Sequence, residues 1–248
     1  METLVEAVLA GDTDSVAALL DEGISPDSRD EGSTPLYTAA AQGEQALARL
    51  LLDAGADPNL RSGDETEGTP LCAAACHGQV EIVRALLAHG ADPNLREDES
   101  WTPLRWAASH GHEEVTRALL AAGADPDLGA PLVEAARRGS LGVVKALLEH
   151  GTDPQVTDAE RRTALDLADE WAGKDVEAEL VARVDLLVET LEHGRKGVEV
   201  HTRRTPLPNG TELISVQASF PGGRATGSDL ETGHAEIAVL LRSRRLPG

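Results

Sequence analysis

The sequence predicts a mainly α-helical fold, a solenoid of stacked helix-turn-helix units followed by a small β-containing extension that a helix closes. Two observations predict the solenoid: a short motif returns along the chain, and each unit has the same internal spacing. The composition agrees, because hydrophobic residues make up 41% of the chain but aromatic residues only 2%. The core must therefore consist of Ala, Leu and Val, and the first two are strong helix formers.

The returning motif marks the start of each unit. It reads TPLY from Thr34, TPLC from Thr69, TPLR from Thr102, APLV from Ala130 and TALD from Thr163. Threonine is a favourable N-cap, and a proline at the first helical position has a suitable φ and no N–H to satisfy. Each copy is therefore expected to start a helix.

The spacing inside the units predicts two helices in each. The proline position and the closing glycine are 20 residues apart, as in 35 to 55, 70 to 90, 103 to 123 and 131 to 151. Another glycine lies eight residues after the proline position, which suits a turn between two short antiparallel helices. We predict helix pairs at 35–54, 70–89, 103–122 and 131–150, after a capping unit in residues 1–25.

The motifs resemble those of the ankyrin-repeat family. TPL is followed by GADPN from Gly55 and Gly90, GADPD from Gly123 and GTDPQ from Gly151. The resemblance extends from Met1 to about Gly194 and includes about five repeats. In that family a β-hairpin finger joins successive repeats beside a concave groove. The resemblance therefore implies a protein-protein interaction module or scaffold that binds a partner protein or peptide in its groove.

The chain divides into the repeat array, residues 1–194, and an extension, residues 195–248, to which the sequence assigns no function. In the fifth unit Ala172 replaces the turn glycine, and a helix is expected to run to Gly194. Residues 198–203 and 211–220 are rich in β-formers, and GGRATGSD predicts a third short strand. The closing segment TGHAEIAVLL resembles the second helix of a repeat.

Candidate binding residues follow from the positions that the family uses on its fingers and first helices. The position seven residues after the proline holds Gln42, His77, His110, Arg138 and Trp171; Tyr37, Trp101, Arg105, Trp106 and Arg137 lie near that face. Aromatic residues and arginine are common at interface hot spots. The fourth linker is short, which predicts that Arg137 and Arg138 are exposed. Alternatively, Trp106 and Trp171 fill gaps in the core.

Acidic fingertips predict a partner with a basic segment. Three linkers read RDEGS, SGDETEG and REDES, and their carboxylates belong to Asp30, Glu31, Asp64, Glu65, Glu67, Glu97, Asp98 and Glu99. The alternative is that these charges only keep the loops solvated.

Other partners and chemistries are disfavoured. A net charge of −21 argues against nucleic acid, which needs a basic surface. The chain shows no secretory leader and no apolar run of about 20 residues, so we expect a cytoplasmic monomer without membrane contact. Cys72, Cys76, His77 and His110 have helical spacing that could suit zinc, but such residues are ordinary at these repeat positions. We predict no metal, no cofactor and no catalytic residue.

The alternative function is an enzyme or a small-ligand-binding protein. Its pocket would lie between the groove and the C-terminal extension. The sequence contains no GxSxG, HExxH or phosphate-binding loop motif to support that class.

Overall fold

The computed structural model describes residues 3–63, 68–97, 101–190, 198–219 and 225–244. The chain forms two compact units, residues 1–131 with 149–152 and residues 132–148 with 153–248. The boundary predicted between residues 194 and 195 lies inside the second unit. That boundary was placed at the end of the repeats, and it stays a prediction. Within the described residues, no helix combines the length and the apolar character that a membrane crossing requires.

Four helix pairs build the first unit. They are α1 (Leu4–Leu9) with α2 (Thr13–Asp21), α3 (Pro35–Gln42) with α4 (Gln45–Asp53), α5 (Pro70–Cys76) with α6 (Val80–Ala88), and α7 (Pro103–His110) with α8 (Glu113–Ala121). First helices contact the first helices of neighbouring pairs, and second helices contact second helices. The unit is therefore two layers of stacked helices, and the helix pairs predicted for it are confirmed.

The threonine of the motif caps the helices as predicted. The Thr69 hydroxyl accepts a hydrogen bond from Cys72 N at 3.2 Å, and that of Thr102 from Arg105 N at 3.1 Å. Thr34 is the exception, because its side chain makes no cap bond and its backbone N–H donates instead to Ser62 Oγ at 2.9 Å. A proline begins all three helices.

The turns that close the pairs connect each pair to the next. Asn59 Oδ1 accepts from Asp92 N at 2.7 Å, and its Nδ2 donates to Gly90 O at 3.1 Å. Asn94 makes the same two bonds to Asp125 N and Gly123 O, at 2.7 and 3.2 Å. The asparagine of the GADPN motif is therefore a link between stacked units.

Backbone hydrogen bonds typical of hairpins join the described residues of the longer linkers. Asp30 and Ser33 exchange two backbone hydrogen bonds across Glu31 and Gly32, both of which have positive φ. Later in the chain, Glu97 N donates to Trp101 O at 2.9 Å. The shortened fourth linker folds instead as consecutive turns, with Ala130 N donating to Asp127 O. Among the described finger residues, hairpin hydrogen bonds are therefore present and regular strands are not.

The second unit combines helices with a small sheet. Its elements are α9 (Pro131–Arg138), α10 (Leu141–Glu149), α11 (Ala164–Trp171), α12 (Val176–Thr190), β1 (Glu199–Pro206), β2 (Glu212–Ser219), β3 (Ala225–Glu231) and α13 (His234–Arg244). The strands are antiparallel in the order β1-β2-β3, and α12 contacts β2 and β3. The predicted strands and final helix are confirmed. The predicted helix is present to Thr190, and residues 191–194 lie outside the described residues.

The helix that follows α11 in the chain does not complete the fifth repeat. Instead, α13 contacts α11, while α12 turns to the sheet. The first residue of α13, His234, bonds through Nε2 to the carbonyl of Arg137, two residues before the turn glycine Gly139. In the first unit His112 makes the same contact with Cys76, two residues before Gly78. The sheet and α12 are therefore an insertion between the two helices of one repeat.

Candidate functional site

A row of aromatic rings follows α7 in the first unit. The rings of Trp101 and Trp106 have centroids 4.1 Å apart, and Trp106 is 5.7 Å from His110. His110 in turn stacks on His112 at 6.0 Å. All four side chains are partly buried, so each ring keeps some exposed surface. These four residues are called the aromatic row below.

Local sequence explains why the row forms. Trp106 and His110 are four residues apart on α7, so they lie on one face of the helix. Trp101 precedes the N-cap Thr102, and its ring lies under the guanidinium of Arg105, whose Cζ is 4.1 Å from the ring centroid. Stacking on an aromatic ring orients the guanidinium. Trp101, Arg105, Trp106 and His110 are thus brought together as one surface.

Glu97 fixes the finger against this surface. Its Oε2 accepts a hydrogen bond from Trp106 Nε1 at 2.7 Å, and its Oε1 accepts from Thr69 N at 3.3 Å. The second bond reaches the backbone at the start of α5, in the preceding pair. Glu97 therefore orients Trp106 and ties the finger to two successive pairs.

Two thiols lie beside the row and are poorly suited to chemistry. Cys76 Sγ is 3.9 Å from His110 Nε2. Burial raises the pKa of the Cys76 thiol, and the Glu97 carboxylate raises it further. Burial also raises the pKa of Cys72 well above its ordinary value. Protonated thiols are weak nucleophiles and weak metal ligands. Within the described ranges, no three His, Cys, Asp or Glu side chains are grouped to hold a metal ion.

The other predicted residues of the first unit lie outside the row. Gln42 is exposed at the end of α3, and Tyr37 is partly buried on the same helix. His77 is exposed after α5, and its Nδ1 donates to Ala73 O at 2.9 Å. They occupy positions on α3 and α5 that correspond to the row on α7. Whether they bind a partner stays a prediction.

The predicted residues of the second unit are placed differently from the expectation. The side chain of Arg138 is only 13% exposed, because it forms ion pairs with Asp229 at 2.6 Å and Glu231 at 3.6 Å. Arg137 pairs with Glu134 and Asp158. The predicted exposure is therefore wrong for Arg138, which β3 covers, whereas the side chain of Arg137 stays 40% exposed beside its carboxylate partners.

Trp171 belongs to the core of the second unit. Its side chain is 4% exposed and lies in one cluster with Val176, Leu180, Ile214 and other apolar residues. This placement matches the core-filling alternative and separates Trp171 from the aromatic row.

The acidic fingertips are only partly described. Asp30 accepts a hydrogen bond from the Thr3 hydroxyl at 2.7 Å, and Glu97 is held as above. Both carboxylates therefore have structural partners, whereas Glu31 is exposed. Asp64, Glu65, Glu67, Asp98 and Glu99 lie outside the described residues.

A cavity of about 300 Å³ opens in the second unit. Its lining includes Trp171, Lys174, Asp175, Arg204 and His234. Arg204 is occupied by ion pairs with Glu177 and Glu212. The cavity therefore offers one histidine, one lysine and one carboxylate beside an arginine that is already ion-paired.

Sequence reasoning missed His112 and the role of Glu97 in this region, whereas it considered Cys76 beside His110 as a possible zinc ligand. Glu97 was grouped with the fingertip charges, because its place after Arg96 in a finger does not reveal the direction of its side chain. His112 follows the turn glycine, as Gln79 does in the preceding pair. This shared position after the turn glycine is the sequence signal that could have identified His112.

Comparisons with known proteins identify the repeats. Residues 1–62 and 60–130 match a family model described as "Ankyrin repeats (3 copies)", and residues 130–159 match one described as "Ankyrin repeat". Together these matches cover more than half of the chain. Ankyrin repeats are in general protein–protein interaction modules.

Curated relatives match through short segments. An ankyrin repeat-containing protein of Schizosaccharomyces pombe is 44% identical over 55 residues, 22% of this chain and 27% of the relative. An ankyrin repeat, SAM and basic leucine zipper domain-containing protein of Oryctolagus cuniculus is 44% identical over 66 residues, 26% of this chain and 14% of the relative. Zygote-specific protein 3 of Chlamydomonas reinhardtii is 43% identical over 58 residues, 23% of this chain and 16% of the relative. The matched segments therefore span about a quarter or less of each relative.

Proposed function

The chain belongs to the ankyrin-repeat family, and on that premise we propose that it binds a partner protein or peptide on the exposed side of α7. The observation that carries the proposal is the partly exposed surface of Trp101, Arg105, Trp106 and His110. The chain has three Trp, one Tyr and one Phe, and two of the three Trp lie here. Such residues dominate interface energies.

The surface is prepared for binding before a partner arrives. Trp106 is fixed by Glu97 and by two ring neighbours, and Arg105 is stacked on Trp101. Side chains that are already ordered lose less conformational entropy when a complex forms. A rigid aromatic surface with one oriented arginine therefore suits an extended peptide that supplies apolar side chains and a hydrogen-bond acceptor.

We further propose that this peptide carries a basic segment. The net charge of −21 and the exposed Glu31 support it, together with the acidic fingertip sequences. A small-ligand function has less support, because the cavity of the second unit contains one histidine and an arginine that already forms two ion pairs.

A random peptide library displayed on phage tests the proposal without a known partner. Peptides are selected on the immobilised full-length protein, and their affinities are measured for three chains: wild type, Arg105→Ala/Trp106→Ala, and the control Arg84→Ala. Arg84 lies in the second-helix layer with a side chain that is 54% exposed. We expect the double variant to lose more than about 2 kcal/mol, roughly 30-fold in Kd, while the control is unchanged.

Two results would contradict this outcome. Unchanged binding by the double variant would place the site on another face. A loss of circular dichroism in step with the loss of binding would assign Trp106 to the core instead. Selected peptides without an excess of Lys and Arg, or with affinity that added salt does not weaken, would contradict the basic partner, because salt screens exposed charges.

A further inference from the structure

His234 lies where α13 meets α9 and α11 in the second unit. The side chain is 2% exposed, and its Nε2–H donates to the Arg137 carbonyl at 3.2 Å. The ring stacks on Trp171 with centroids 5.4 Å apart. Gly139 provides the room, because a Cβ there would lie 2.7 Å from Nδ1 of His234. The imidazole is therefore enclosed by three elements.

The enclosed imidazole suits only the neutral form. Its Nδ1 is buried and has no hydrogen-bond partner among the residues that the structure describes. Protonation would add an N–H and a positive charge there, and a buried donor without an acceptor is costly. Burial accordingly lowers the pKa of His234, although the Arg137 carbonyl and Glu236 oppose that shift.

Charged neighbours do not supply the missing acceptor. Lys174 and Arg183 lie over Trp171 and add positive charge on that side, while Glu236 is exposed on α13 itself. Most carboxylates on the surrounding elements already face arginines: Asp229 and Glu231 face Arg138, Glu134 and Asp158 face Arg137, Asp169 faces Arg242, and Glu177 faces Arg204. On α11, Asp166 accepts from the Thr163 hydroxyl and Glu170 is exposed. Asp175 accepts from Ala178 N.

We propose that His234 is an acid-sensitive latch for α13: the neutral ring holds the helix on α9 and α11, and protonation releases it. An unfolded histidine titrates near pH 6.5, and the docked one titrates lower. Docking is therefore strongest above about pH 6.5 and weakens as the pH falls below that value. Release uncovers Ile237, Ala238 and Leu241, each at most 2% exposed when docked.

The repeats themselves provide a matched variant. Gln79 occupies the position of His234 in the third pair of the first unit, with its Nε2 2.9 Å from the site of a Cβ on Gly43 of the second pair. A glutamine amide can donate to a carbonyl as the imidazole does, but it does not titrate. His234→Gln should therefore keep α13 docked at every pH. His112→Gln is the control, since His112 has the same register in the first unit.

Hydrogen exchange of the full-length chain tests the latch at about pH 7 and about pH 5, with rates corrected for intrinsic exchange. In wild type and His112→Gln, we expect protection of residues 234–244 to fall severalfold in acid, because the docked ring resists protonation more than the unfolded one. In His234→Gln the fall should be much smaller, with α3 and α4 protected equally in all chains. NMR titration of the docked His234 ring should give a midpoint below about pH 6.5, and the loss of protection should begin near pH 6.5 and level off below that midpoint.

Three results would overturn the latch. One is equal protection of α13 at both pH values in wild type, and another is an equal fall in His234→Gln. The third uses wild type alone and so does not depend on how the variant folds: a His234 ring that titrates at or above about pH 6.5, or a loss of protection that continues below its titration without levelling off.

Discussion

Glu97 illustrates how a charged residue in a linker can serve the fold and the binding surface together. Its carboxylate joins the backbone N–H of Thr69 to the indole N–H of Trp106, and Gly68 leaves the space that it fills. A hydrogen bond to a charged acceptor contributes more than a neutral one. The same contact sets the orientation of the central ring in the aromatic row.

Replacing Glu97 with alanine should destabilise the protein by about 1 to 3 kcal/mol, because two donors lose their acceptor. Glu97→Gln retains a carbonyl oxygen and should lose less. Glu22→Ala is the control, since Glu22 is exposed at the end of α2 and should change stability by less than about 0.5 kcal/mol. Urea unfolding measures all three, and an alanine variant as stable as the control would refute the structural role.

Such roles could not be predicted from the sequence. The positions of Trp101, Arg105, Trp106 and His110 follow from the motif, because α7 begins at a proline that the motif identifies. The direction in which Glu97 turns depends instead on contacts between two repeats. Arg138 was misjudged for the same reason, since its partner Asp229 is 91 residues away in the chain.

At the scale of elements, α13 takes the place of a missing second helix. Its buried residues Ile237, Ala238 and Leu241 follow His234 at intervals of three, four and seven. In α8 the buried residues Val115, Thr116 and Leu119 follow His112 at the same intervals. The sequence predicted the likeness of α13 to a second helix, but the insertion of α12 and the sheet before it concealed the first helix to which it belongs.

Two turn glycines allow the energy of α13 docking to be distinguished from the energy of backbone strain. Gly139 and Gly151 both have positive φ, of 80° and 89°. A Cβ on Gly139 would meet the Glu231 carbonyl at 2.3 Å and the His234 ring, whereas a Cβ on Gly151 meets nothing within 4 Å. Gly151→Ala should therefore cost only the strain of about 1 to 2 kcal/mol, and Gly139→Ala should cost more and loosen α13.

Thermal unfolding and hydrogen exchange of residues 234–244 distinguish the two substitutions. The difference between them reports the contact of α13 with the turn at Gly139. Equal destabilisation, with α13 protected equally in both, would show that this contact contributes nothing to the second unit.

At the scale of the whole molecule, the two units differ in how far their sequence predicts them. The first is built from contacts within a pair and between neighbouring pairs, so a constant spacing of 20 residues was enough to locate its helices. The second unit depends on distant contacts, such as that between His234 and Arg137 across 97 residues. Its strands were predicted from composition, but their place inside a repeat was not.

The central claim, that a partner binds on α7, is tested most directly by hydrogen exchange of the full-length protein with and without a peptide selected on it from the phage library. We predict that the bound peptide slows exchange at residues 101–110 and leaves α6 and the body of α8 unchanged, because Arg105, Trp106 and His110 belong to α7 and Trp101 precedes it. Protection confined to the second-helix layer or to the second unit, with residues 101–110 unchanged, would contradict the claim.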